Sequence, residues 1–107
     1  MATQEDSGTQ TCVISSEHSL SVQTAGAAYV LVLDLTNLAN GDTLEVYAKT
    51  KVLSSSTPGQ LFKAIYQHAQ SDKVVHSIPC PSVHSIEFFL KQTAGTGRNI
   101  DWSVIKL

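Results

Sequence analysis

His76, Cys80 and His84 stand in an H-x3-C-x3-H spacing, the pattern in this chain nearest to a set of metal ligands. On a helix that spacing would align three ligands. Pro79 and Pro81 flank the cysteine, so no helix can run through it. A loop could gather the three side chains, with Cys12 as a fourth. Structural zinc sites usually carry tighter pairs such as CxxC. The residues therefore read as polar strand histidines around a thiol, and no metal and no other cofactor is expected.

Other constellations carry as little chemistry. Gly95-Thr96-Gly97-Arg98 has the glycines of a phosphate-binding loop, but no GK[ST] follows. Apolar alternation on both sides makes it a turn between strands, with no helix terminus to hold an anion. Thirteen serines and four histidines make chance nucleophile–base pairs easy, yet no GxSxG elbow is present. Cys80 has no flanking cation to lower its pKa. Glycosidase chemistry needs two carboxylates facing each other across a cleft. Glu17, Asp34, Asp42, Glu45, Asp72, Glu87 and Asp101 are scattered, and many fall at turns or on solvent-facing strand positions. Asp34 and Asp101, beside apolar strand stretches, are the two whose environments should be unusual. The chain does not read as an enzyme.

Sugar binding needs exposed aromatic rings, and Trp102, Tyr29, Tyr47 and Tyr66 are the candidates. Trp102 alternates with Ile100 and Val104, which assigns it to the core. Tyr47 shares an outward face with Lys49 and Lys51. One exposed tyrosine makes a poor platform, but a carbohydrate-binding module of jelly-roll type stays as the competing reading.

Composition narrows the classes further. Charged residues make up 15% of the chain, the net charge is -2, and Arg98 is the only arginine. A nucleic-acid binder must neutralise several phosphates, so nucleic acid is not an expected partner. The longest apolar run, 25 to 33, is far short of the roughly 20 residues a membrane helix requires. The start, Met1 to Gly8, is acidic and polar, unlike a secretion signal. Cys12 and Cys80 are expected as free thiols in a chain made in a reducing cytoplasm, although sequence leaves a Cys12–Cys80 bridge open.

The elements that must position these residues are strands. Thr11 to Ile14 reads as a first short strand, and Leu20 and Val22 alternate with serines in a second. Tyr29, Leu31, Leu33 and Leu35 point one way and Val30, Val32 and Asp34 the other, as in a central strand. After the Asn40-Gly41-Asp42 turn, Leu44, Val46, Ala48 and Val52 face in, while Glu45, Tyr47, Lys49 and Lys51 face out. Gln60 to Gln70 fits helical spacing through Leu61, Phe62, Ile65 and Ala69. It fits alternation equally well through Phe62, Ala64, Tyr66 and His68, and strong neighbours favour strand. Lys73 to Ile78 is another strand. Ile86, Phe88 and Leu90, then Ile100, Trp102 and Val104, form two more around the glycine turn, in the pattern of a hairpin.

Seven or eight strands at this spacing predict an all-β fold, an antiparallel two-sheet sandwich of jelly-roll type. Leu31, Leu33, Val46, Ile86, Phe88, Leu90, Trp102 and Val104 should fill its core. Residues 12–107 form the sandwich. Residues 1–11 lack apolar alternation and read as an N-terminal docking arm, disordered alone and ordered on a partner. Thr3, Gln4, Glu5, Asp6, Thr9 and Gln10 are its candidate contact residues.

Two segments carry a resemblance. Tyr29 to Val46, with its Leu33-Asp34-Leu35 and Gly41-Asp42, is similar to a strand-turn-strand of small phage-encoded structural proteins. Leu90-Lys91-Gln92-Thr93-Ala94-Gly95-Thr96-Gly97-Arg98, followed by Trp102, resembles their late hairpin, in the same order. In size and composition the chain resembles the jelly-roll cement or decoration proteins of tailed-bacteriophage heads. That resemblance implies a virion protein on the capsid exterior that binds the major capsid protein lattice, commonly as a homotrimer. It transfers no catalytic residue, and Gly41, Asp42, Gly95 and Gly97 serve the fold. A tail or fibre component is the alternative within the virion.

Overall fold

The computed structural model describes residues 3–107, all of them in strands, turns and loops. The nine strands are β1 (Thr3–Thr11), β2 (Glu17–Gln23), β3 (Ala27–Asp34), β4 (Thr43–Thr50), β5 (Gly59–Gln67), β6 (Val74–His76), β7 (Cys80–Ser82), β8 (Ile86–Ala94) and β9 (Asn99–Lys106). One sheet runs β1-β9-β3-β6, with β7 also paired to β3; the other runs β2-β8-β4-β5. All pairings are antiparallel. The expected all-β, two-sheet antiparallel sandwich is what forms, with nine strands in place of seven or eight.

The core lies between the sheets, where the alternation predicts. Leu31 and Leu33 stand opposite Val104 and Trp102 in one sheet, and Val46 and Ala48 opposite Leu90 and Phe88 in the other. Of the eight expected core residues, seven are buried, and Trp102 is half-buried against the same cluster. Val52 departs from expectation: it lies beyond the end of β4 and is 84% exposed. Within Gln60–Gln70 the chain is strand as far as Gln67, with Phe62, Ala64 and Tyr66 half-buried and Leu61 and Ile65 on the open side.

The connections differ from the expected ones. Among the described strands only β4 and β5 are both consecutive and hydrogen-bonded to each other. The glycine turn after Ala94 therefore makes no hairpin: β8 belongs to one sheet and β9 to the other. Each is an interior strand with neighbours already on both sides. A glycine turn dictates that the chain reverses, and not whether it returns in the same sheet. The short β7, which follows Pro79 and contains Pro81, escaped the sequence reading because the two prolines read as the stop of a strand.

Residues 3–11 are the edge strand of the five-stranded sheet, in register with Asn99–Lys106; residues 1 and 2 lie outside the described residues. Pairing rests on main-chain hydrogen bonds, which need no apolar side chains. Eight of the nine β1 residues are exposed, so the segment has the composition of an arm and the backbone of a strand. The short strand expected at Thr11–Ile14 is absorbed: β1 ends at Thr11, and the chain turns through Ser15, at φ 66°.

Candidate binding surfaces

The residues that carry the resemblance meet at one end of the sandwich. Asp42 is 1% exposed, and its carboxylate accepts from the backbone N–H of Ala39 (2.9 Å) and Thr96 (3.2 Å) and from Arg98 Nε (2.8 Å). Gln92, fully buried, donates to the carbonyls of Ala94 and Thr96 and accepts from the N–H of Arg98. Burial acts to raise the Asp42 pKa, but Arg98 and the two backbone donors outweigh it and hold the group below its ordinary value. Gly95 sits at φ +90°, and a Cβ there would collide with the Asp42 carboxylate. With the Asp42 carboxylate and the Gln92 amide turned onto the backbone of these turns, the cluster acts as a latch of the fold.

The outer face of the five-stranded sheet holds a shallow depression of about 430 Å³. Gln4, Ser7 and Thr9 of β1 line one side, Asp101 and Ser103 the floor, and Asp34 and Val74 the far side. Asp34 and Asp101 are directly opposite each other on β3 and β9. The Thr9 hydroxyl donates to Asp101 Oδ1 (2.5 Å), and the Thr36 N–H and hydroxyl donate to Asp34 Oδ1. Those Thr36 bonds pull the Asp34 pKa down against a small opposing effect of burial, with help from Lys73. A general acid at neutral pH needs the opposite shift, so Asp34 is unsuited to the proton-donor role of a glycosidase. The sequence placed both aspartates beside apolar strand stretches; their juxtaposition required the register.

Of the six expected arm residues, Gln4 and Thr9 line this depression. Thr3 pairs with Lys106 and Gln10 with Ile100. Glu5 occupies the bulge between Gln4 and Asp6, and Asp6 caps the N–H of Ser7 (2.9 Å). The structure thus brings the six together as one continuous strand.

The outer face of the other sheet is aromatic but covered. Tyr47 and Phe89 stack at 5.3 Å between ring centroids, and Lys49 Nζ lies 4.8 Å from the Phe89 centroid. Tyr47 donates its hydroxyl to Glu17, which also faces Lys49 at 3.9 Å. Burial foremost, then Glu17, pushes the tyrosine hydroxyl pKa up. Each ring is only 7% exposed. Tyr29 is fully buried and Trp102 packs on the core, so neither is an open platform for a sugar. Sequence reasoning missed the outward Phe89, whose signal was its place between inward Phe88 and Leu90.

The H-x3-C-x3-H residues are not gathered. The Cys80 thiol is fully buried and donates to the Ile78 carbonyl at 3.2 Å. His76 Nδ1 lies 2.7 Å from the Ser77 carbonyl. Cys12 and Cys80 are separate free thiols, and among the described residues no group of three His, Cys, Asp or Glu side chains could hold a metal ion. Among the described residues no helix is long and apolar enough to cross a membrane. No protein-family model matches the chain, and no curated protein matches it.

Proposed function

We propose that this chain is a virion structural protein that coats the exterior of a tailed-phage head by binding its major capsid protein. The observation that carries the reading is β1: nine residues long, at a sheet edge, with eight exposed. A free edge strand offers a row of main-chain donors and acceptors to a partner chain. The acids Glu5 and Asp6 give that margin a negative character, suited to a basic strip on the capsid. The strand order β1-β9-β3-β6 against β2-β8-β4-β5 supports the jelly-roll expectation, an architecture shared by viral capsid proteins and lectins. The resemblance of the Tyr29–Val46 and Leu90–Arg98 segments favours the capsid role.

The test is co-sedimentation of the purified protein with phage heads stripped of decoration. Saturable binding that weakens with salt, and weakens further in the double variant Glu5→Lys, Asp6→Lys, is the expected result. Heads that stay bare at every salt concentration would overturn the proposal.

A further inference from the structure

The sandwich has a second long open edge, on the side opposite β1. β1 and β2 lie together at one margin, while β5 ends the four-stranded sheet at the other. The remaining edges are blunted: β6 and β7 span three residues each, with prolines at 79 and 81, and β2 carries a bulge between Ser19 and Ser21. β5 has nine residues, contains no proline, and leaves Leu61 at 40% and Ile65 at 55% exposed. Its bulge lies near its start, opposite Ala48 and Lys49, so the stretch from Phe62 to Gln67 is regular. Lys63, the residue that would ordinarily guard such an edge, is drawn back over the sheet by Glu45 at 2.9 Å.

We infer that β5 pairs antiparallel with β5 of a second copy about a twofold axis through Ala64, joining two four-stranded sheets into one of eight strands. The occupant is argued from the strand's own sequence. In this register Ala64, the smallest side chain, meets itself at the axis. Phe62 faces Tyr66 of the second copy, and Lys63 faces Ile65, so no like charges oppose each other. Shifting the axis by one residue, to Lys63, would set two ammonium groups against each other. Phe62 and Tyr66 already pack on the margin of the core, so the seam continues an apolar layer instead of starting one. Leu61 and Ile65, on the outer face, become flanks of the same seam. Because an edge strand exposes backbone groups between its two ladders, this register uses groups that β4 leaves free. The assembly is a dimer, distinct from the trimer that the decoration-protein resemblance implies.

The inference is independent of the capsid reading and is tested without heads. Light scattering of the purified full chain should give twice the 11.5 kDa chain mass, falling to the single mass as it is diluted. I65K places an ammonium opposite Lys63 of the second copy and should shift the protein to monomer without lowering secondary structure. Ala64→Cys, under mild oxidation, should form an intermolecular disulfide that reductant reverses, since residues facing each other at such an axis lie within bridging distance. Cys12 and Cys80 are buried and do not compete. Thr9→Cys on the opposite edge is the control and should not crosslink. A monomer at every concentration, a threefold mass, or an Ala64→Cys chain that crosslinks no faster than Thr9→Cys would overturn the inference. A dimer that leaves phage heads bare would sink the capsid proposal and leave the β5 pairing standing.

Discussion

Arg98 Nε lies 2.8 Å from Asp42 Oδ2, and this contact ties the turn after β3 to the turn after β8. Both turns carry the chain from one sheet to the other, so the pair closes the sandwich where two crossings meet. Asp42 is buried, whereas the Arg98 side chain keeps 31% exposure. The two partners should therefore respond unequally to removal.

Asp42→Ala leaves three donors without their acceptor, two of them backbone N–H groups. It should destabilise the fold by about 3–5 kcal/mol, at about 1–3 kcal/mol for each buried donor left unsatisfied. Arg98→Ala leaves Asp42 with its backbone donors and should cost less than half as much. Chemical denaturation of both variants checks this; equal costs would mean that the guanidinium alone does the holding.

The same carboxylate sets an acid limit. Its folded pKa is depressed, so its contribution is fully present above the unfolded value of about 4 and is lost as pH falls through the folded value. Asp34, also depressed, adds in the same direction. Stability should be flat from neutrality down to about pH 5 and fall steeply below about pH 4. In Asp42→Asn that fall should be shallower from a lower starting point. Denaturant midpoints measured across the pH range decide it.

Much of this architecture was legible in the sequence, and the parts that were not share a physical cause. Leu31, Leu33, Phe88 and Leu90 declare their faces through a period of two, because burial selects apolar side chains at alternate positions. β1 declares nothing, since an edge strand can form on main-chain hydrogen bonds with polar side chains on both faces. The glycine turn at 95–97 announced a reversal but not the change of sheet, which depends on Gln92 and Asp42 satisfying the turn's backbone. The Asp34–Asp101 juxtaposition depends on register between strands 67 residues apart in number, which no local pattern encodes.

The thiols yield a third prediction. Cys12 and Cys80 are 4% and 0% exposed, and burial pushes both pKa values up, only partly offset by hydrogen bonds. Both factors keep the reactive thiolate scarce. A disulfide-exchange reagent should label neither cysteine of the native protein within minutes and both after unfolding. One fast-reacting thiol in the native state would show that the Cys12 connection or the short β7 opens locally.

Trp102 offers a direct reading of whether β1 stays in place. It is the only tryptophan, and Gly8 lies across the pair from it in β1. A Cβ at Gly8 would meet the indole at 3.2 Å, tighter than an ordinary contact. The indole therefore packs under bare backbone, and the docked strand shields it from water. Gly8→Val overfills this contact and should cost about 1–3 kcal/mol, the usual range for overpacking. Its tryptophan emission should shift to the red as β1 lifts from β9, while the far-ultraviolet spectrum keeps most of its strand signal. Deleting residues 3–10 should give the same red shift and lower the melting temperature, because a paired strand is removed and the β9 edge exposed. Unchanged emission and melting in the deletion would mean that residues 3–11 hold no place in the free protein, returning them to the role of an arm that orders only on a partner.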